Sequence, residues 1–150
     1  NPTREDPAMS NVTTVMTANP SCCKHDTPLK QVAQMMIDSD CGMIPVVDDD
    51  GRPVGAVTDR DITVRIVACG KDASGASAAD AMTSPIQTVS SDTSLHDATC
   101  VMESHKIRRL VVVDGNGKLA GIAAIADLSL AGKDDATAQV VKKVSKPGQA

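Results

Sequence analysis

The chain has 150 residues, no Phe, Tyr or Trp, and a formal net charge of −4. Its core must therefore be aliphatic, and stacking of bare bases on aromatic rings, the usual hold on single-stranded nucleic acid, is excluded. The acidic balance also argues against a phosphate-backbone binder, which needs a basic face.

In chain order, residues 1–9 are polar and carry two prolines, and read as a flexible arm or a vector remnant. Ser10 or Asn11 can cap a short helical turn through Val12 and Val15, ending at Met16-Thr17. Pro20 forces an extended stretch, with Ser21-Cys22-Cys23 as the first predicted strand. Asp26-Thr27-Pro28 reads as a helix start with proline at the first helical position. Leu29, Val32, Ala33, Met36 and Ile37 then follow at helical spacing and predict one apolar face. Met43 to Val47 is a buried strand, Asp48 to Arg52 a turn, and Val54 to Val57 the returning strand. Thr58 opens a helix that runs through Ile62, Val64, Ile66 and Val67 to Gly70, and residues 71–77 are linker-like.

Ala78 to Met82 re-enters the pattern, which then runs a second time. It gives a strand over Ile86 to Val89, a helix from Thr93 to about Ser104, a strand over Leu110 to Val113, a strand over Leu119 to Ala123 and a helix from Ile125. Residues 132–150 turn polar, with Val140, Val141 and Val144 able to line one side of a terminal helix. Each half reads βαββα. Met16-Thr17 recurs at Met82-Thr83, an ungapped offset of 66 residues that also carries Asp26-Thr27 to Asp92-Thr93, Val46-Val47-Asp48 to Val112-Val113-Asp114 and Asp61 to Asp127. A register held over that distance marks an internal duplication. The divisions expected are an arm over 1–9, a first repeat over 10–70, a linker over 71–77, a second repeat over 78–131 and a tail over 132–150.

A three-stranded sheet with helices on one face leaves its other face bare, too large an apolar patch for so small a half to expose. Two copies packed sheet to sheet would cover it. The ordered set Met-Thr, Asp-Thr-x-Leu, Ile-Pro-Val-Val-Asp or Leu-Val-Val-Val-Asp, Asp-x-x-Gly and Gly-h-h-Thr-x-x-Asp, where h is apolar, covers about Val12 to Leu130. On these motifs the chain resembles a tandem pair of CBS domains, a Bateman module, of the small stand-alone bacterial kind. The resemblance implies an α+β fold of two βαββα CBS repeats packed sheet to sheet with pseudo-twofold symmetry. It also implies binding of adenosine-containing ligands such as AMP, ADP, ATP, NAD or S-adenosylmethionine, disk-like homodimers, and regulation of another protein.

The candidate site starts at Gly55-Ala56-Val57-Thr58-Asp59-Arg60-Asp61. A hydroxyl and a carboxylate on the first turn of a helix suit a nucleotide: the backbone N–H groups favour anions and the carboxylate can accept from both ribose hydroxyls. Thr-x-x-Asp is equally close to a capping box, in which Asp61 only reaches back to the backbone. Arg108-Arg109 stand immediately before the second middle strand, and guanidinium groups suit bidentate phosphate contact. Adjacent arginines also commonly do no more than solvate a strand end. In the family, as in energy-sensing kinase γ subunits, basic residues at this position reach phosphates of a nucleotide whose ribose is held by the Asp of the other repeat. Carried over, Arg109 with Arg108 completes a site with Thr58 and Asp61, and Ala56 and Ile86 lie beside the base. The reverse site is weaker: Asp127 remains, with Pro45 in the opposing strand, but Ala124 replaces Thr and Gly42-Met43 replaces the arginines.

Other signals carry less. Cys22, Cys23, Cys41, Cys69 and Cys100 show no Cys-x-x-Cys spacing, and their odd number reads as reduced thiols in a cytoplasmic protein. Cys22 and Cys23 should face opposite sides of their strand. His25, His96 and His105 have no metal-ligand spacing, and no nucleophile elbow or Gly-rich phosphate loop occurs. No apolar run approaches the ~18 residues of a membrane span. The expectation is a soluble, non-enzymatic sensor with no required cofactor or metal, an adenine nucleotide as ligand, a homodimeric state, an unknown regulated protein, and neither nucleic acid nor membrane as partner. The alternative is a structural or stress-associated scaffold whose degenerate pocket binds nothing.

Overall fold

The computed structural model describes residues 10–131, so the predicted arm and the polar tail with its valines lie outside the described residues. Six strands and five α-helices alternate in a mixed α/β arrangement: β1 Thr17–Ala18, α1 Leu29–Ser39, β2 Met43–Val47, β3 Pro53–Thr58, α2 Asp59–Ile62, α3 Ala78–Ala81, β4 Thr88–Ser90, α4 Leu95–His105, β5 Arg109–Val113, β6 Leu119–Ala124 and α5 Ile125–Ala131. The chain divides into two compact units, one of residues 20–86 with 117–119, the other of the described residues 10–19, 87–116 and 120–131. Each unit thus takes its leading segment from ahead of the other sequence repeat. None of the described helices is long and apolar enough to cross a membrane.

In the unit of residues 20–86, β2 and β3 form an antiparallel pair in which Pro45 faces Ala56 and Met43 faces Thr58. Single bridges extend the pair on both sides, Cys23 to Val46 and Thr83 to Ala56. The other unit carries the strand order β1-β6-β5-β4. There β1 pairs with β6 through Thr17 opposite Ile122, and β4 runs parallel to β5 with Val89 opposite Val112. Adding 66 to the partners Cys23–Val46 gives Val89–Val112, and adding it to Ala56 and subtracting it from Thr83 gives Ile122 and Thr17. The duplication is thus a duplication of sheet register, not of sequence alone.

Each unit has its own aliphatic core. One is built on Leu29, Val32, Ile44, Val46, Val57, Ile66, Ala78 and Ala81, the other on Val12, Ala98, Met102, Leu110, Val112, Ala123 and Leu128. Residues 71–77, linker-like in sequence, contain a 3-10 turn at Ala73–Gly75. The Ala76 carbonyl accepts the Leu29 N–H at 2.9 Å, and α3 follows immediately to bury Ala78 and Ala81 against α1.

Several boundaries differ from expectation, each for a local reason. The strand expected at Ser21 to Cys23 shrinks to the Cys23 bridge, because the next residues turn back with the Lys24 N–H donating to Thr27 Oγ1. That turn also engages the Thr27 hydroxyl, so the helix start expected at Asp26-Thr27-Pro28 is displaced by one residue. Pro28 is extended (ψ 138°), stands ahead of the first turn, and has no capping side chain. Cys23 is buried and Cys22 exposed, as alternation along a strand requires. The helix after Thr58 widens at Thr63–Val67 into a π-turn, which buries Ile66 and leaves Val64 and Val67 outside. Ile37, expected on the inner face of α1, is 72% exposed, and Met35 packs on the core instead. The strand expected at Ile86 to Val89 forms at Thr88–Ser90, and the helix expected from Thr93 starts at Leu95, where Ser94 Oγ accepts the Asp97 N–H at 3.0 Å.

Gly55 and Gly121 are needed for close approach. A Cβ on Gly55 would lie 2.7 Å from the Thr83 carbonyl oxygen, and one on Gly121 would lie 2.8 Å from that of Thr17. Overpacking of this kind costs about 1–3 kcal/mol. We expect Gly55→Ala to lower Tm by several degrees in a thermal melt, while Gly75→Ala, with open space around it, leaves Tm unchanged.

Candidate functional site

Strand β3 delivers Thr58 to the mouth of α2 with an extended backbone (φ −109°, ψ 163°), the conformation an N-cap needs. The Asp61 N–H donates to Thr58 Oγ1 at 3.0 Å, and the Thr58 N–H donates to Asp61 Oδ2 at 3.0 Å. This is a complete reciprocal capping box. The capping reading of Thr-x-x-Asp therefore holds, and it fixes the carboxylate's orientation.

A third residue joins the pair. Thr83, bridged through its backbone to Ala56, directs its hydroxyl to Asp61, 3.2 Å from Oδ1 and 3.3 Å from Oδ2. An ionised carboxylate has about four acceptor sites. One backbone N–H and one hydroxyl proton occupy two of them, so Asp61 keeps capacity for two further donors. Asp61 is half-buried, and Thr83 is exposed. Sequence reading passed over Thr83. Its signal in the sequence is the recurrence of Met16-Thr17 at Met82-Thr83, which marks the register and the family motif but not a contact with Asp61.

Ala56 is 4% exposed in the interior of its unit, and Ile86 is half-buried at that unit's end. Pro45 is buried in β2 opposite Ala56. Arg108, Arg109 and Asp127 belong to the other unit. Arg109 opens β5, and the Arg108 carbonyl accepts the Ile125 N–H at 2.8 Å, as the Gly42 carbonyl accepts the Asp59 N–H at 3.0 Å. Both arginine side chains are exposed, and among the described residues neither makes a hydrogen bond or an ion pair. Asp127 Oδ2 accepts the Ala124 N–H at 3.2 Å, and Ala124 has no hydroxyl to return, so this turn keeps half of the capping box. No group of three His, Cys, Asp or Glu side chains converges among the described residues.

The sequence profile of the CBS domain matches residues 12–68 and again 78–133, which is most of the chain. The chain belongs to the CBS-domain family. It is a CBS pair, a regulatory module. Hypoxic response protein 1 of Mycobacterium tuberculosis is 32% identical over 139 residues, 93% of this CBS pair and 96% of that protein. The crystal structure of Hypoxic Response Protein I with two coordinated zinc ions matches with a TM-score of 0.74 at 32% identity, covering 81% of this chain and 98% of that one. That of CBSX2 in complex with AMP, a protein of Arabidopsis thaliana, matches with a TM-score of 0.72 at 26% identity, covering 81% and 95%.

Proposed function

We propose that this CBS pair is a non-enzymatic sensor that binds an adenosine-containing ligand, AMP, ADP, ATP or NAD, in the cleft between its repeats and signals to a partner protein by conformational change. Asp61 accepts from the ribose hydroxyls, Thr58 and the backbone of its turn meet ribose or phosphate oxygens, and Ala56 and Ile86 flank the base. Arg109 with Arg108 takes the phosphates. The observation that carries this reading is the Asp61 carboxylate, pinned by Thr58 and Thr83 yet left with two acceptor positions. The AMP complex of CBSX2 supports the ligand class. The pocket around Asp127 and Pro45 is the weaker one, because its turn lacks the hydroxyl and its phosphate-facing positions are Gly42 and Met43. Signalling further requires the ligand to favour one arrangement of the module over another, and a homodimer is the assembly through which it is read.

The half-formed box at Asp127 favours a second reading, a scaffold that keeps the fold with its pocket unused. Purified protein separates the two. A chain without Tyr or Trp is almost transparent in the near ultraviolet, so a nucleotide band in that region, and heat in titrations with AMP, ATP and NAD, mark the sensor. A blank spectrum and flat titrations mark the scaffold.

Thr83 is a positioning residue in this scheme. We expect Thr83→Val to weaken AMP binding about threefold to tenfold, since a hydrogen bond to a carboxylate contributes on the order of 1 kcal/mol net. Thr83→Ser should restore it in the same titration. Equal affinities for all three proteins would remove Thr83 from the site.

A further inference from the structure

The five thiols differ in what they face. Cys23 is buried, and burial with the neighbouring Cys22 pushes its pKa up to about 11, which makes it a poor nucleophile. Cys22, Cys41, Cys69 and Cys100 are exposed. The Cys41 thiol donates to the Met43 carbonyl and the Cys69 thiol to the Val64 carbonyl, each at 3.5 Å. A carbonyl oxygen can only accept, so each of these contacts holds the proton on sulfur and is lost when the thiolate forms. Cys22 has no polar partner among the described residues. Cys100 differs from all of these: its Sγ lies 3.7 Å from His96 Nε2.

The pair is a product of helix geometry. His96 and Cys100 are four residues apart on α4, and residues at that spacing are neighbours on the helix surface. Ala98, Thr99 and Met102 make the buried face of the same helix, so an adduct on the exposed sulfur need not enter the core. With its proton on Nδ1, the imidazole presents Nε2 as an acceptor to the thiol, the arrangement by which an adjacent base activates a cysteine.

We infer that Cys100 is this chain's preferred site of thiol modification by low-molecular-weight disulfides, with His96 as the base. The Cys100 proton passes to His96 Nε2 as Sγ attacks one sulfur of the disulfide. A new S–S bond forms at Cys100 and the disulfide's own S–S bond breaks. The departing thiolate then takes the proton from the imidazolium. One mixed disulfide and one free thiol result, so Cys100 is oxidised and the reagent reduced.

The test uses the whole chain with oxidised glutathione near neutral pH, quenched by acid at early times, with the adduct on each cysteine located by mass spectrometry. Cys100 should be modified fastest, and His96→Ala should slow it about fivefold or more while Cys22, Cys41 and Cys69 keep their rates. His96→Asn, a second surface variant, should do the same, and an unchanged thermal melt for both guards against a folding artefact. Faster modification of any other cysteine, or a Cys100 rate that neither variant lowers, would overturn the assignment.

Discussion

We expect Asp61→Ala to abolish the adenine nucleotide binding proposed for this site, as measured by calorimetry. Two ribose hydroxyls donating to one carboxylate are charge-assisted hydrogen bonds of about 1.5–3 kcal/mol each, so their loss lowers affinity on the order of 100-fold or more. The same side chain completes the capping box on α2, so a second effect accompanies the first: about 1 kcal/mol of stability disappears with the cap. The two effects separate in one pair of measurements. A thermal melt should show a small fall in Tm with a cooperative transition intact, whereas the titration should show no heat at ligand concentrations that saturate the unmodified chain. Thr58→Ala supplies the comparison, since it removes the other half of the cap while leaving the carboxylate in place. It should match Asp61→Ala in Tm and lose much less affinity. If both variants bind alike, Thr-x-x-Asp is a cap and nothing more.

The second large effect concerns where the chain can be cut. A fragment of residues 10–70 contains the whole first sequence repeat, and we expect it to be unfolded, with a collapsed amide NMR spectrum and rapid proteolysis. It lacks α3, whose Ala78 and Ala81 are wholly buried among Leu29, Ile44 and Ile66. It also lacks Thr83, which supplies both backbone partners of Ala56, at 2.8 and 3.0 Å, and without which the edge of β3 is unpaired. Small units have only a few kcal/mol in reserve, so a missing core element and a bare edge together exceed what remains. A fragment of residues 20–86 keeps both and should retain a dispersed spectrum. A folded 10–70 fragment beside an unfolded 20–86 fragment would show that each repeat folds with its own leading segment and would overturn this division.

That prediction depends on something the amino-acid pattern does not display. Periodicity is local, and it located β2 at Met43–Val47 to the residue, because an uninterrupted apolar run admits little else. It also gave the start of α5 at Ile125 and the hairpin β2–β3. The offset of 66 residues identified matching positions in the two repeats but said nothing of which copy each leading segment joins. Thr17 next to Ile122 and Thr83 next to Ala56 are long-range backbone pairings, invisible to side-chain spacing. For the same reason Thr83 went unnoticed as a partner of Asp61: the two residues are 22 positions apart, and only the bridge to Ala56 brings the hydroxyl within reach.

Where local pattern failed, a competing local interaction had won. Pro28 carried the expected signal of a first helical residue, but Thr27 Oγ1 was already engaged with the Lys24 N–H, and the helix began one residue later. The valines at 64 and 67 followed helical spacing, yet the five-residue hydrogen bond from the Ala68 N–H to the Thr63 carbonyl widened the turn and rotated them outward. At the candidate site the cap of Thr-x-x-Asp forms, and it holds the carboxylate still. Arg108 and Arg109 are exposed and without polar partners among the described residues, which fits a strand end solvated by cations as well as a phosphate site.

Co-crystallisation with AMP examines all of these assignments at once. The expected result is a ribose whose two hydroxyls lie within about 3.2 Å of the Asp61 carboxylate oxygens, with the phosphate held by the Arg109 guanidinium. An AMP bound elsewhere, or one whose sugar meets Asp61 while both arginines point away from its phosphate, would contradict the proposed site and leave the CBS fold standing without it.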